Sequence, residues 1–186
     1  MTNNLETRYS YLCEYLFMNL LNTIKRENDI AIDLLSEEGV MDEWIALMEA
    51  KGLLQASQVD KIREVSIDVK KVQAFRDLGR RSFSQEGTHP DLMGILSSYT
   101  KQSPLAFDAE FMPLPSQGGS DGLLALLSFE MLQAYQGDLF QKVKKCGSPT
   151  CYAFFVDTSG RRKWCSMEIC GNREKARRHY SKKVNE

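Results

Sequence analysis

The 186-residue chain is poor in several features that would assign it quickly. It has 2 histidines, and no segment is apolar for long enough to span a bilayer. Its first apolar stretch, residues 9–24, is interrupted by Glu14, Asn19 and Asn22 and does not resemble a signal peptide. With neither leader nor span, the expected location is the cytoplasm, where disulfides are rare. The chain also lacks a Ser/His/Asp set, a phosphate-binding glycine loop and a His-rich metal site, so it is not expected to be an enzyme. Asp108 and Glu110 stand two apart on a predicted strand and could form paired acids in the N-terminal part. An exposed strand face explains them equally well. There is no internal repeat, heptad array or low-complexity tract.

Charge is not scarce, but it is unevenly placed. The net charge of −1 joins two unlike parts. Residues 142–186 hold twelve basic and four acidic side chains, a net of +8, which leaves −9 on residues 1–141. A compact basic segment points to a polyanion, most often nucleic acid.

Cysteine is nearly absent from the first three quarters. Cys13 lies there alone, inside an apolar stripe, and reads as a small buried hydrophobe. The other four, Cys146, Cys151, Cys165 and Cys170, form two C-x4-C pairs. Two thiolate pairs on short loops can close a tetrahedral shell around one Zn²⁺ per chain. Disulfides, a redox dithiol and an iron–sulfur cluster are the alternatives, and compartment and spacing rank them below zinc. Four cysteines leave no open coordination position, so the metal is expected to be structural.

The segment between the pairs predicts a β-hairpin, with 154–159 and 162–164 flanking a turn at Ser159-Gly160. Cys170 is expected near the N-terminus of a last helix, where the dipole and free amides favour thiolate. Gly171 would allow a sharp turn there. Asn172 would cap the helix or hydrogen-bond a ligand sulfur, and Arg173 would brace the site behind the ligands. On the tail helix, Ala176, Tyr180 and Val184 form a stripe expected to pack on the module. Lys175, Arg177, Arg178, Lys182 and Lys183 take other faces. With Arg161, Arg162 and Lys163 they form a candidate DNA-binding surface through phosphate contacts. His179 reads as solvated or phosphate-facing, and His89 needs no special role.

Upstream, apolar periodicity predicts helices over 8–26, 41–51, 57–81 (with Ser57 as N-cap), 91–99 and 121–135. Alternation over 105–112 predicts a strand, with a partner expected around 29–33. Leu139, Phe140 and Val143 are expected to continue or restart a helix up to the first cysteine pair. The fold class is mainly α with a small β component. A helix-rich domain, 1–141, precedes a treble-clef or ribbon-like zinc finger, 142–186. Asn22 and Thr23 interrupt an apolar helix and need partners. Either they bond a neighbouring loop or they border a pocket for a small-molecule effector. The N-terminal domain would then sense a signal or form a homodimer, and the finger would bind DNA or, alternatively, protein.

The run Asp157-Thr158-Ser159, Trp164-Cys165-Ser166-Met167 and Cys170-Gly171-Asn172-Arg173, with Cys146 and Cys151 before it, resembles the CGNR zinc-finger family over about residues 144–183. Leu20-Leu21-Asn22-Thr23, Asp33-Leu34-Leu35 and a Trp44 helix ending at Gly52-Leu53-Leu54 look like the opening of the ABATE domain. That domain commonly precedes such fingers and is described as a stress-induced transcription regulator. The resemblance implies four-cysteine zinc binding and transcriptional regulation through DNA.

Overall fold

Short polar side chains cut the apolar stripes of this chain into more pieces than periodicity alone suggests. The computed structural model describes residues 5–9, 12–27, 30–84 and 90–184. His89, Asp29 and the side chains of Lys182, Lys183 and Val184 lie outside the described part. In place of one helix over 8–26, the chain forms α1 (Leu5–Arg8), an extended link, α2 (Leu16–Leu21) and β1 (Ile24–Glu27). Asn19 explains the break. Its side chain accepts from the Cys13 N–H at 3.0 Å and donates to the Cys13 carbonyl at 2.8 Å. That satisfies the Cys13 backbone outside any helix. The carboxylate of Glu130 then caps α2, accepting from the Leu16 N–H at 2.9 Å and the Phe17 N–H at 2.7 Å.

β1 pairs antiparallel with β2 (Ile30–Asp33), with Ile24 opposite Asp33. A short 3₁₀ turn, Leu34–Ser36, leads to α3 (Val40–Ala50). The helix expected over 57–81 is two helices, α4 (Ala56–Arg63) and α5 (Val69–Ser84). Asp68 makes the division: its carboxylate accepts from the N–H groups of Lys70 and Lys71 and so starts α5 afresh. Gln55, not Ser57, caps α4, in a reciprocal box with Gln58. α6 (Pro90–Gln102) lies along α7 (Gly119–Gln136), whose apolar residues are buried on nearly every side. Gly119 packs close to the α4–α5 break, where an added Cβ would stand 2.9 Å from the Ser66 carbonyl.

The strand expected over 105–112 is also a correction. β3 (Leu105–Phe107) pairs with β4 (Pro113–Pro115), not with residues near 30. Between them Asp108 accepts from the N–H groups of Glu110 and Met112, and Phe111 takes φ 59°. Asp108 and Glu110 therefore stand in a turn and do not share a strand face.

The C-terminal quarter departs from expectation in the same manner. After α7 comes a 3₁₀ turn, Phe140–Lys142, and then β5 (Val143–Lys145), where a helix was expected. β5 pairs antiparallel with β6 (Phe154–Val156), with Val143 opposite Val156 and Lys145 opposite Phe154. The hairpin thus closes around the first cysteine pair. Ser159-Gly160 is a turn with φ 70° at Gly160, but residues 162–164 are not a strand. A π-helical turn, Met167–Gly171, opens α8 (Asn172–Val184). The architecture is therefore mainly helical, with three small antiparallel pairs among the described residues. No described helix is long and apolar enough to cross a membrane.

Alternation along β6 assigns the hairpin two neighbours. Phe154 and Val156, with Val143 and Phe140, join the main core that contains Phe17, Trp44 and Leu123. Phe83 stands edge-on to Phe140 at 4.7 Å between ring centroids and tilted to Phe154 at 6.5 Å. Phe155 points the other way, into a second cluster with Ala153 and the four cysteines. Beneath the core, the guanidinium of Arg76, 1% exposed, grips both Asp33 carboxylate oxygens at 2.6 and 2.8 Å. Burial alone would raise the Asp33 pKa, but the Arg76 contacts outweigh it and hold the carboxyl below its usual range.

Candidate metal centre

Cys146 and Cys151 lie on the loop that joins β5 to β6, and Cys165 and Cys170 on the segment that enters α8. All four are buried, and their sulfurs lie within 4.8 Å of one another. The Cys151–Cys165 separation is 3.8 Å and the Cys165–Cys170 separation 3.6 Å. Zn–S bonds of about 2.3 Å put the corners of a tetrahedron about 3.8 Å apart. The donor set fits one zinc ion with four thiolates and leaves no site for substrate, so the metal is structural.

Local backbone supports those sulfurs. The Ala153 N–H points at Cys151 Sγ at 3.4 Å and the Cys165 N–H at Cys146 Sγ at 3.5 Å. Such N–H···S contacts favour thiolate. Trp164 packs against the cysteine cluster between two glycines. A Cβ on Gly147 would stand 3.2 Å from the Trp164 ring, and one on Gly171 also 3.2 Å. Gly171 therefore gives room to Trp164 and Met167; its φ is not in the left-handed region. Four buried thiols this close cannot all ionise without a cation among them. Thiol hydrogen bonds from Cys151 and Cys165 depress the pKa of Cys146. Hydrogen bonding to Cys146 raises Cys151 and Cys165, and burial raises Cys170. Metal entry must displace those protons, so acid competes with zinc.

Residues 142–183 match the model of the CGNR zinc finger family. The C-terminal part of this chain is a CGNR zinc finger. No curated protein matches the chain significantly.

Within the CGNR finger, polar side chains lock the ligand loops together. Asp157 accepts from Lys144 at 2.7 Å, Ser159 at 2.9 Å and the Arg162 N–H at 3.1 Å. The Lys144 bond foremost holds its pKa well below the usual carboxylate range. Arg162, expected on the DNA surface, turns to the finger itself. It donates to the Cys165 carbonyl at 2.6 Å and the Val156 carbonyl at 3.3 Å, and stands 4.9 Å over the Phe155 ring. Arg173 reaches back to Thr150 Oγ1 at 3.1 Å and so ties α8 to the first cysteine loop. Asn172 donates to the Glu168 carbonyl at 3.3 Å. Glu174, the buried residue of α8 among those described, accepts from Ser148 Oγ at 2.8 Å.

The two described side chains of the stripe expected to pack α8 on the finger do not do so. Ala176 is exposed and Tyr180 is 69% exposed. α8 is anchored by its first turn, through Glu174 and Arg173, and residues 175–181 are exposed. Arg161, Lys163, Lys175, Arg177, Arg178 and His179 are exposed around it. Arg177 pairs with Glu174 at 2.7 Å, and Arg178 Nε lies 3.4 Å from the Glu174 carbonyl.

Asn22 and Thr23 are buried, and their partners are internal. Thr23 Oγ1 donates to the Leu20 carbonyl and accepts from Arg76. Asn22 accepts from the Phe154 N–H at 2.8 Å and donates to the Phe154 carbonyl at 3.0 Å. It pairs with β6 as another strand would. Of the two readings of this polar pair, the bond to a neighbouring segment accounts for these side chains, and a ligand pocket is not needed to satisfy them. Sequence reasoning missed two further contacts with the finger. Arg80 of α5 donates to the Tyr152 carbonyl at 3.0 Å and also to Leu21. Arg26 of β1 donates to the Pro149 carbonyl and lies 5.6 Å over the Tyr152 ring. Nothing in their local sequence marks them, because each one's partner in the finger is a backbone carbonyl more than 70 residues away.

Proposed function

We propose that this protein is a cytoplasmic DNA-binding transcription regulator. Its CGNR finger presents α8 and the loop at 161–163 to the phosphate backbone. The observation that carries the reading is a set of exposed basic side chains on the segments that carry and follow the second cysteine pair. Arg161, Lys163 and Lys175 are exposed, and their side chains have no protein partner among the described residues. Long cationic side chains that bond nothing in the protein are free to neutralise phosphates. Arg177 and Arg178 extend the same charge along α8, and the sequence adds Lys182 and Lys183 beyond them, whereas Arg162 serves the ligand loop. The N-terminal part, with its likeness to the ABATE domain, senses a stress signal through a small molecule or forms a homodimer. Catalysis has no part in this reading.

A second reading rests on apolar exposure. Met167 is 49% and Ile169 43% exposed beside the ligand Cys170, and Tyr180 projects farther along α8. These side chains favour a protein partner for the finger. The two readings separate in a salt series of duplex DNA binding by the zinc-loaded chain. Each lost phosphate contact reduces the log–log salt slope by about 0.9, so replacing Arg161, Lys163 and Lys175 with Ala should flatten it by about 2.7. An unchanged slope in a folded, zinc-loaded triple variant moves the DNA surface elsewhere. Absence of binding by the wild type to any duplex favours the protein partner.

A further inference from the structure

We propose that Arg80, seconded by Arg26, is a positioning residue for the zinc site: from outside the finger it fixes the backbone beside ligand Cys151 and sets a positive charge against the metal–thiolate cluster. The inference is independent of what the finger binds. Arg80 lies on α5, 66 positions before the first ligand. Its guanidinium bridges Leu21 and Tyr152 through their carbonyls, and Tyr152 follows Cys151 directly. It also stands 5.0 Å over the Phe154 ring. Arg26 takes the Pro149 carbonyl on the other side of Cys151. The ligand is thus held from both sides by arginines of the N-terminal part.

Charge provides a second argument. Arg76, one turn before Arg80, is matched by Asp33 and Asp77. Arg80 has no carboxylate within ion-pair distance among the described residues, and its donors go to carbonyls and a ring face. A largely buried guanidinium with no acid in contact is costly unless negative charges nearby offset it; Asp77 and Asp33 do so in part from beyond ion-pair distance, and Cys151 adds to them. Zinc with four thiolates carries a net charge of −2, and the knuckle that Arg80 grips contains one of those thiolates. Arg80 and the cluster therefore stabilise one another across the boundary between helices and finger. Zinc retention becomes a property of the whole chain and not of residues 142–183 alone.

The test uses the full-length zinc-loaded protein and transfer of zinc to a chromophoric chelator in excess. Partners behind metal ligands typically change metal affinity by 10–100-fold, so Arg80→Met should release zinc at least about tenfold faster. Arg80→Lys keeps the charge but cannot reach two carbonyls with one fork, and should fall between wild type and Arg80→Met. Arg26→Ala, at a half-buried position, should release zinc severalfold faster. Ile45→Ala is the control: it opens a cavity in the helical core, in a cluster separate from that of the ligands, and should keep the wild-type rate. In the cobalt-substituted protein the tetrahedral d–d bands should shift in Arg80→Met and stay unchanged in Ile45→Ala. Equal acceleration in Ile45→Ala and Arg80→Met would reduce the effect to general destabilisation and overturn the proposal. Wild-type release and spectrum in folded Arg80→Met would overturn it too. If Arg80→Met does not fold, wild-type rates in both Arg80→Lys and Arg26→Ala overturn it.

Discussion

Replacing Asn22 with Leu tests how firmly the CGNR finger is joined to the helices. The two side chains branch alike and Leu is the larger, so the change removes polarity without opening a cavity. Asn22 is 2% exposed and Phe154 1% exposed, so no water replaces the lost partner. Two backbone groups of Phe154 lose their bonds, the N–H at 2.8 Å and the carbonyl at 3.0 Å. Each buried group left unsatisfied costs about 1–3 kcal/mol, so the expected loss is about 2–6 kcal/mol. Small domains are stable by only about 5–15 kcal/mol, so Asn22→Leu should sit close to the limit of folding. Urea unfolding of the zinc-loaded protein, followed by helical circular dichroism and Trp fluorescence, measures the loss. The midpoint should fall while the slope stays constant. A loss below about 1 kcal/mol would refute the reasoning, because it would mean that Phe154 finds other partners or that this face of β6 is wet.

Cys165→Ser should lose the metal and unfold the finger, since structural zinc supplies about 10–16 kcal/mol in small fingers; Cys13→Ser should retain one zinc per chain by metal analysis. Cys13 is half-buried, and burial pushes its thiol up to about 11, so it should also react slowly with thiol reagents at neutral pH. Asp33→Asn should destabilise by about 1–3 kcal/mol at pH 7, because it removes the two-oxygen partner of the buried Arg76 and leaves Asp77 as its remaining carboxylate. The folded pKa of Asp33 lies below its unfolded value. Its contribution is therefore fully present above about pH 4 and fades as pH falls through the depressed folded value, where urea midpoints of variant and wild type should converge. Tyr180→Ala should change stability by no more than about 0.5 kcal/mol, because the ring is exposed and packs on nothing that holds α8.

The metal centre shows how a short sequence can specify chemistry while its supports come from elsewhere. Cys146-Gly147 and Cys170-Gly171 repeat the same device: a ligand followed by a residue without a Cβ, against which Trp164 can lie. That device is local. The clamp by Asn22, Arg26 and Arg80 is not, and it places the β5–β6 hairpin on two cores at once, apolar on the Phe154 side and thiolate on the Phe155 side. A change in the helices that moved α5 would reach the metal through Arg80, and loss of the metal would reach the helices through Phe154.

By itself the sequence determined the metal and its ligands, since four cysteines in two matched pairs leave few other structures in which all four thiols are satisfied. It also determined the helical character of the chain and the extents of α3 and α7, where apolar spacing is long and uninterrupted. Its failures share one cause. Periodicity counts side chains that leave the backbone alone, whereas Asn19, Asp68 and Asp108 bond to the backbone and divide the stripes they stand in. The hairpin was misplaced because Ser159-Gly160 is a real turn whose flanks do not pair, while β5 had the apolar look of a helix end. Only tertiary structure decided that Arg162 braces Cys165, that residues 175–181 of α8 are exposed, and that Asn22, Arg26 and Arg80 reach the finger. Each depends on which backbone carbonyl comes within reach after folding, and backbone groups carry no signature in the residue string.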